Sequence, residues 1–421
     1  MQDRGLGTHP FIVHIPTDTV GYPQLASWPG FSGGLDARLT VMSRPRRTHR
    51  PERTRSKPTT GALPGGSSRN RRPGPSHSGR SQTVLKASGP GDVITLVPYQ
   101  LGFQPEHSLV LVTVNKPRGR LGPVLRVDLP DPPDHQATAD HLVQVLSHHG
   151  LRRVIAIAFS PEDEVVDLFI EQLGVALAAA DIEVLDAWRA DGRRWFSYLC
   201  TNPTCCPPQG VPYGQDVGPA EAGAILAGAV ALPDRQALHD SIGRLPDPDH
   251  LMADATADAI IAWANRPTGD PERQACLGRE MDRMVDLVTA FGRHPRLIDE
   301  VECARLSVAV QDIMVRDAAW ALMSRQRIEA HVDLWTQVTR RAVDGFVAAP
   351  SSLLGFACWI QGSGALARCA AERALGDVPG YSMALLLEES LDRCVPPSAW
   401  RPIPLEEIYA AAGCRLGGRV P

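Results

Sequence analysis

An α/β domain followed by an all-α domain is the architecture this sequence predicts, and three observations carry the prediction. Between Thr83 and Pro246, apolar β-branched runs alternate with segments of helical period. After residue 250 the strand-like runs stop, and helical segments follow one another between Pro and Gly breaks. Before residue 83 the composition shifts to Arg, Pro, Gly and Ser, with too few large apolar residues to offset chain entropy. The predicted fold is therefore a disordered basic tail over 1–82, a mixed sheet with a β-hairpin over 83–246, and a helical domain over 247–421.

In the tail, Arg44 to Arg80 carries ten arginines, one lysine and one acid, Glu52. Such a block attracts phosphates, but no aromatic residues interleave it to stack on bases. Residues 81–421 hold 30 basic and 43 acidic side chains, a net charge of −13, which argues against nucleic acid as a partner of the folded body.

The α/β elements follow in order. Pro90-Gly91-Asp92 opens a helix over Val93–Gln100 with Asp92 as its N-cap. Ser108–Val114 and Val124–Leu129 are strands, joined as a hairpin through the turn residues of Asn115–Gly122. A helix over Ala137–His148, a strand over Val154–Phe159 and a helix over Val165–Ala180 give a βαβ pattern. Ser160-Pro161-Glu162-Asp163-Glu164 lies where α/β sheets bind ligands, and its carboxylates suit Mg²⁺. The same string is a helix start, with Ser160 as N-cap, Pro161 at N1 and acids in the first turn, and capping explains every letter of it.

Glu183–Ala190 and Arg193–Cys200 are extended segments separated by Asp191-Gly192, a two-residue hairpin signal. That register sets Trp188 opposite Trp195 and Arg189 opposite Arg194, with Cys200 on the arginines' face. Facing arginines repel unless an anion or water relieves them, so Arg189 and Arg194 are candidate anion contacts.

The helical region reads as Leu251–Arg266, Glu272–Gly292, Leu297–Met323, Arg325–Val347, Leu353–Trp359, Ala365–Leu375, Tyr381–Arg393 and Leu405–Ala412. Leu354-Gly355-Phe356-Ala357, Gly362, Ala367, Ala374-Leu375 and Pro379 follow the small-residue spacing of a tetratricopeptide unit. A shift of 34 residues puts Trp320-Ala321 at the Leu-Gly positions but Asp333 where a small residue belongs, so one unit matches. In Val315-Arg316-Asp317, the spacing places an ion pair in the helical core.

Several chemistries are excluded by what the letters lack. There is no GxxxxGK[ST] loop and no GxGxxG. Forty arginines stand against three lysines, Lys57, Lys86 and Lys116, so no Schiff-base lysine is available after residue 116. The nine cysteines are scattered rather than set at the spacing of a secreted staple, which predicts reduced thiols in a cytoplasmic protein. The longest nearly uncharged apolar run, Ala222–Leu232, is about half of a bilayer span.

Three of those cysteines are crowded together: Cys200, Cys205 and Cys206, followed by Pro207-Pro208. Three readings stand. They are ligands for zinc, short of a fourth that His239 or His250 would bring from afar. They are a redox pair, Cys200 with Cys205. Or they only pack, as free cysteines commonly do.

The strings Gly89-Pro-Gly-Asp-Val-Ile-Thr-Leu-Val-Pro98, Ser108-Leu-Val-Leu-Val, Arg126-Val-Asp-Leu-Pro130, Arg194-Trp-Phe-Ser-Tyr-Leu-Cys200 and Ala357-Cys-Trp-Ile-Gln-Gly362 resemble the domain-of-unknown-function family DUF4192 of actinobacteria. The resemblance spans about residues 84–402 and implies no activity, substrate or catalytic residue. Two functions are carried forward. One is a non-catalytic cytoplasmic scaffold whose helical domain binds a protein partner. The other is a Cys-dependent redox or metal-binding enzyme acting on an anionic small molecule.

Overall fold

Eight strands of the computed structural model form one mixed sheet, and the residues described are 11–14 and 84–416, apart from 116–119, 162–163, 248–249 and 268. Most of the basic tail expected to be disordered thus lies outside the described residues; Phe11–His14 within it is strand β1. The others are β2 (Val84–Ala87), β3 (Ser108–Asn115), β4 (Arg120–Asp128), β5 (Arg153–Phe159), β6 (Glu183–Ala190), β7 (Arg194–Ser197) and β8 (Val211–Pro212). They lie in the order β2-β1-β4-β3-β5-β6-β7-β8. The pairs β1–β4 and β5–β6 are parallel, and every other pair is antiparallel.

Four helices, α1 (Pro90–Leu101), α2 (His135–His148), α3 (Glu164–Ala179) and α4 (Pro219–Leu226), cover the sheet on both faces. Side chains alternate across a strand, so the run in β3 divides between two cores. Val110, Val112 and Val114 join Ile155, Ile157 and Trp188 under α1 and α4. Leu109 and Leu111 join Val154, Ala156 and Ala158 under α2 and α3. The expected βαβ unit is present as β5-α3-β6, and the expected β3–β4 hairpin pairs antiparallel.

Helix α1 departs from its predicted start. Gly89 is the N-cap, without a side-chain cap bond, and Pro90 occupies the first turn. Asp92 sits inside that turn and accepts the Ser88 backbone N–H at 2.7 Å, so its carboxylate reaches backwards rather than capping forwards. The cap proposed at Ser160 involves Glu162 and Asp163, which lie outside the described residues.

Ten further helices follow: α5 (Arg235–Ser241), α6 (Leu251–Ala264), α7 (Asp270–Arg293), α8 (Glu300–Ala309), α9 (Ile313–Ala321), α10 (Ile328–Arg341), α11 (Ala348–Gln361), α12 (Gly364–Asp377), α13 (Ser382–Asp392) and α14 (Leu405–Ala411). Three predicted helices are corrected. The segment read as Leu297–Met323 is broken at Asp312, whose carboxylate accepts the Met314 N–H at 2.9 Å and starts α9. The segment read as Arg325–Val347 stops at Arg341, and α11 starts at Ala348 rather than Leu353. The early start of α11 has a distant cause: Asp377 at the end of α12 accepts N–H groups from Gly345 at 2.6 Å and from Val347 and Ala348 at 2.9 Å.

Helices α11 and α12 form the hairpin expected from the small residues. A Cβ on Gly355 would stand 3.2 Å from the Ala367 carbonyl oxygen and 3.3 Å from the Ala370 Cβ, so the two backbones approach as closely as glycine allows. Arg316 and Asp317 pair at 2.8 Å in the core, and Arg316 also donates to the Tyr381 hydroxyl at 3.0 Å. The helical core includes Phe103, Leu238 and Ile242 from before residue 247, and the His149 ring meets the Arg393 carbonyl at 2.8 Å. Among the described residues, no helix is long and apolar enough to cross a membrane.

Candidate functional site

The cysteine loop grows out of the hairpin at the β8 edge of the sheet, where β6 and β7 meet in a register different from the expected one. Arg189 faces Phe196, and Trp188 faces Ser197. The turn residues are Gly192-Arg193, not Asp191-Gly192. Gly192 has φ +94°, and the Asp191 carboxylate accepts the N–H groups of Arg193 at 2.8 Å and Arg194 at 2.6 Å. Glycine at the first turn position together with an aspartate that bonds two residues onward moves the loop by one residue. Trp188 and Trp195 still touch diagonally, with ring centroids 6.1 Å apart.

This shift dissolves the expected facing pair of arginines. Arg189 is buried, stacked over the Phe196 ring at 4.3 Å, and donates to the Pro161 carbonyl at 3.2 Å. Arg194 donates to the Gly210 carbonyl at 2.9 Å and the Gln209 carbonyl at 3.3 Å. The pair that an anion would have had to relieve does not form, and both guanidinium groups serve the backbone of the loop and its neighbours.

From Ser197 the chain leaves β7 and folds on itself. The Ser197 hydroxyl oxygen accepts the Cys200 N–H at 3.0 Å, the Asn202 carboxamide accepts the Thr204 N–H at 2.9 Å, and the Asn202 carbonyl accepts the Cys206 N–H at 2.9 Å. Gly210 closes the loop with φ +73°, and a Cβ there would lie 2.7 Å from the Phe196 ring. Glycine is thus required twice over, by backbone angle and by space.

The result is convergence of all three thiols. Their Sγ atoms lie within 4.8 Å of one another, and Cys200 and Cys205 are 3.2 Å apart. Consecutive residues 205 and 206 direct their sulfurs to one point because the turn at Asn202 bends the backbone between them and Cys200. Cys205 is exposed, while Cys200 and Cys206 are half-buried, Cys206 against the core beneath α1 and α4. All nine cysteines are free thiols.

The electrostatics of the three are unequal. A hydrogen bond from the Asn202 backbone, joined by the neighbouring thiols of Cys205 and Cys206, holds the Cys200 thiol below its ordinary range. Burial, and then the other two thiols, push Cys206 up to about 12. Cys200 thus gives up its proton more readily than a lone cysteine, and Cys206 less readily. Asp186, which opposes the ionisation of Cys200, is the residue that reading the sequence missed. Its own carboxyl is raised by burial, against the Ala187 N–H at 2.9 Å. Its place two residues before Trp188, on the same strand face, was the available signal.

Among the described residues, these three cysteines are the group whose ligand atoms converge as a metal site would require, and neither His239 nor His250 joins them. A tetrahedral zinc with Zn–S bonds of about 2.3 Å holds its sulfurs roughly 3.7 Å apart, which this triangle matches with little movement. Elsewhere a cleft of about 200 Å³ is lined by Asp92, Asp216, Glu221 and Tyr213. No arginine or cysteine lines it, so it joins neither the thiols nor the arginines to a common ligand.

The chain belongs to the family described as Domain of unknown function (DUF4192), whose profile matches residues 90–398. That span includes the whole sheet from α1 onward, the cysteine loop and the helices through α13. Comparison with curated proteins and with solved structures found no match.

Proposed function

We propose that this protein is a thiol–disulfide redox protein in which Cys200 and Cys205 alternate between dithiol and disulfide. The observation that carries the reading is their 3.2 Å separation in a surface loop where neither thiol is fully buried, so a reagent reaches Cys200 and Cys205 follows. The partner oxidant is a low-molecular-weight or protein disulfide. The Cys200 thiolate attacks one sulfur of that disulfide and expels the other as a thiolate, forming a mixed disulfide. The Cys205 thiolate then attacks the Cys200 sulfur, expelling the second thiolate of the reagent. Two electrons pass from the two cysteines to the external disulfide, and the two protons they shed finish on its thiols.

The hairpin and the Gly210 closure hold the two sulfurs in place, so forming the bond requires only the last ångström or so of approach to an S–S distance of about 2.05 Å. A scaffold reading instead rests on exposed apolar side chains such as Ile261, Leu297 and Val301, and exposed apolar side chains are ordinary on a protein surface. The test is a redox titration of the full chain in glutathione buffers, with alkylation and peptide mapping. The expected product is one Cys200–Cys205 disulfide with a single midpoint, absent in Cys205→Ser. Equal alkylation of both cysteines across the whole series would overturn the proposal.

A further inference from the structure

We infer that Cys206 makes the same loop a site for one soft divalent cation of the zinc class, occupied in the dithiol form and emptied when Cys200 and Cys205 join. The binding itself stands on geometry, and only the release rests on the redox reading above. A dithiol couple needs two cysteines, yet three Sγ atoms converge within 4.8 Å. The third is held there by the backbone: Cys206 is half-buried, and its N–H donates to the Asn202 carbonyl at 2.9 Å, so its side chain returns toward Cys200. The redox pair is complete without Cys206, yet the turn closed by the Asn202 carbonyl sets the sulfur of this adjacent residue at the same point.

Thiolate sulfurs select soft or borderline cations such as zinc over magnesium or calcium. Three protein sulfurs leave the fourth tetrahedral position to water or to an exogenous thiol, as in a site built for exchange rather than permanent structure. Oxidation must then empty it. With glutathione disulfide, Cys200 and Cys205 give up two electrons and become a disulfide. The reagent leaves as two thiols after taking up two protons, Cys206 takes a third proton, and the cation departs with its charge unchanged. A disulfide sulfur is a poor ligand, and Cys206 alone is insufficient.

The experiment is a cobalt titration of the reduced full-length protein, read by sulfur-to-cobalt charge-transfer absorption and followed by competition with zinc. One equivalent bound by the reduced protein and none by the glutathione-oxidised protein is expected. Cys206→Ser is expected to lose at least ~100-fold in cobalt affinity while still forming the Cys200–Cys205 disulfide, with its circular dichroism unchanged. Cys205→Ser, altered at an exposed position, is the second variant and is expected to lose both. Absence of charge-transfer absorption in reduced wild type, or undiminished affinity in Cys206→Ser, overturns the metal site and leaves the redox couple standing. Cobalt retained after complete oxidation overturns the release. Cobalt bound by a protein that forms no disulfide refutes the redox reading and confines the inference to binding.

Discussion

The loop thiols and the helical-core thiols are the same functional group in opposite surroundings. Cys200, Cys205 and Cys206 sit on a strand-edge loop organised by side-chain-to-backbone hydrogen bonds, with sulfurs close together and partly in water. Cys303, Cys358 and Cys369 lie fully buried among the alanines and leucines of the helices. Burial holds Cys358 up to about 12 and Cys303 and Cys369 up to about 11, so these three are small apolar side chains in effect. Having nine cysteines therefore says little about redox chemistry; the turns of the loop and the convergence of its sulfurs set three of them apart.

The sharpest way to break that comparison is alkylation of the reduced, native protein. Cys205 is expected to react at least ~1000-fold faster than Cys358, Cys369 or Cys303, because the latter are reached only through unfolding. Iodoacetamide labelling with peptide mass spectrometry measures the ratio, and comparable rates would place the core thiols in an open structure.

A second prediction concerns how strictly the helical core excludes charge. Burial, helped by the positive Arg327, depresses His331 to about 4 against the pull of a hydrogen bond to the Leu322 backbone. The folded protein then refuses a proton that the unfolded chain accepts below pH 6.5. Stability contributed by the neutral ring is present above that pH and is lost as pH falls from 6.5 towards 4, by about 3 kcal/mol in full. Denaturant unfolding at a series of pH values checks this, and His331→Leu is expected to flatten the dependence in that window.

The smallest of the expected effects compares two glycines. Gly210→Ala places a Cβ on the Phe196 ring at a backbone angle of +73°, and Gly355→Ala drives one between Leu387 and the Ala367 carbonyl. Each is expected to cost about 1–3 kcal/mol. Their consequences should differ: Gly210→Ala should also slow closure of the Cys200–Cys205 disulfide, whereas Gly355→Ala should leave that rate unchanged. Urea titration and the kinetics of disulfide formation separate the two.

Where reading the letters succeeded, the signal was local. The apolar runs of β3 and β5, the helical period of α2 and α3, and the Gly355–Ala367 approach depend on side-chain type at short spacing. Where it failed, the deciding group came from elsewhere in the chain or from a choice among near-equal turns. Asp377 sets the start of α11 from 29 to 32 residues away. Asp191-Gly192-Arg193-Arg194 admits two hairpin registers, and the carboxylate bonds of Asp191 select the second.

The candidate site divides the same way. That Cys200, Cys205 and Cys206 are crowded, and that zinc signatures of the two-residue knuckle type are absent, is settled by spacing alone. That their sulfurs meet is decided by tertiary structure, because it depends on turns at Ser197 and Asn202 and on Gly210 fitting against Phe196. Spacing along a chain limits which atoms can meet; only the folded backbone, with its hydrogen bonds assigned, brings them to one point or holds them apart.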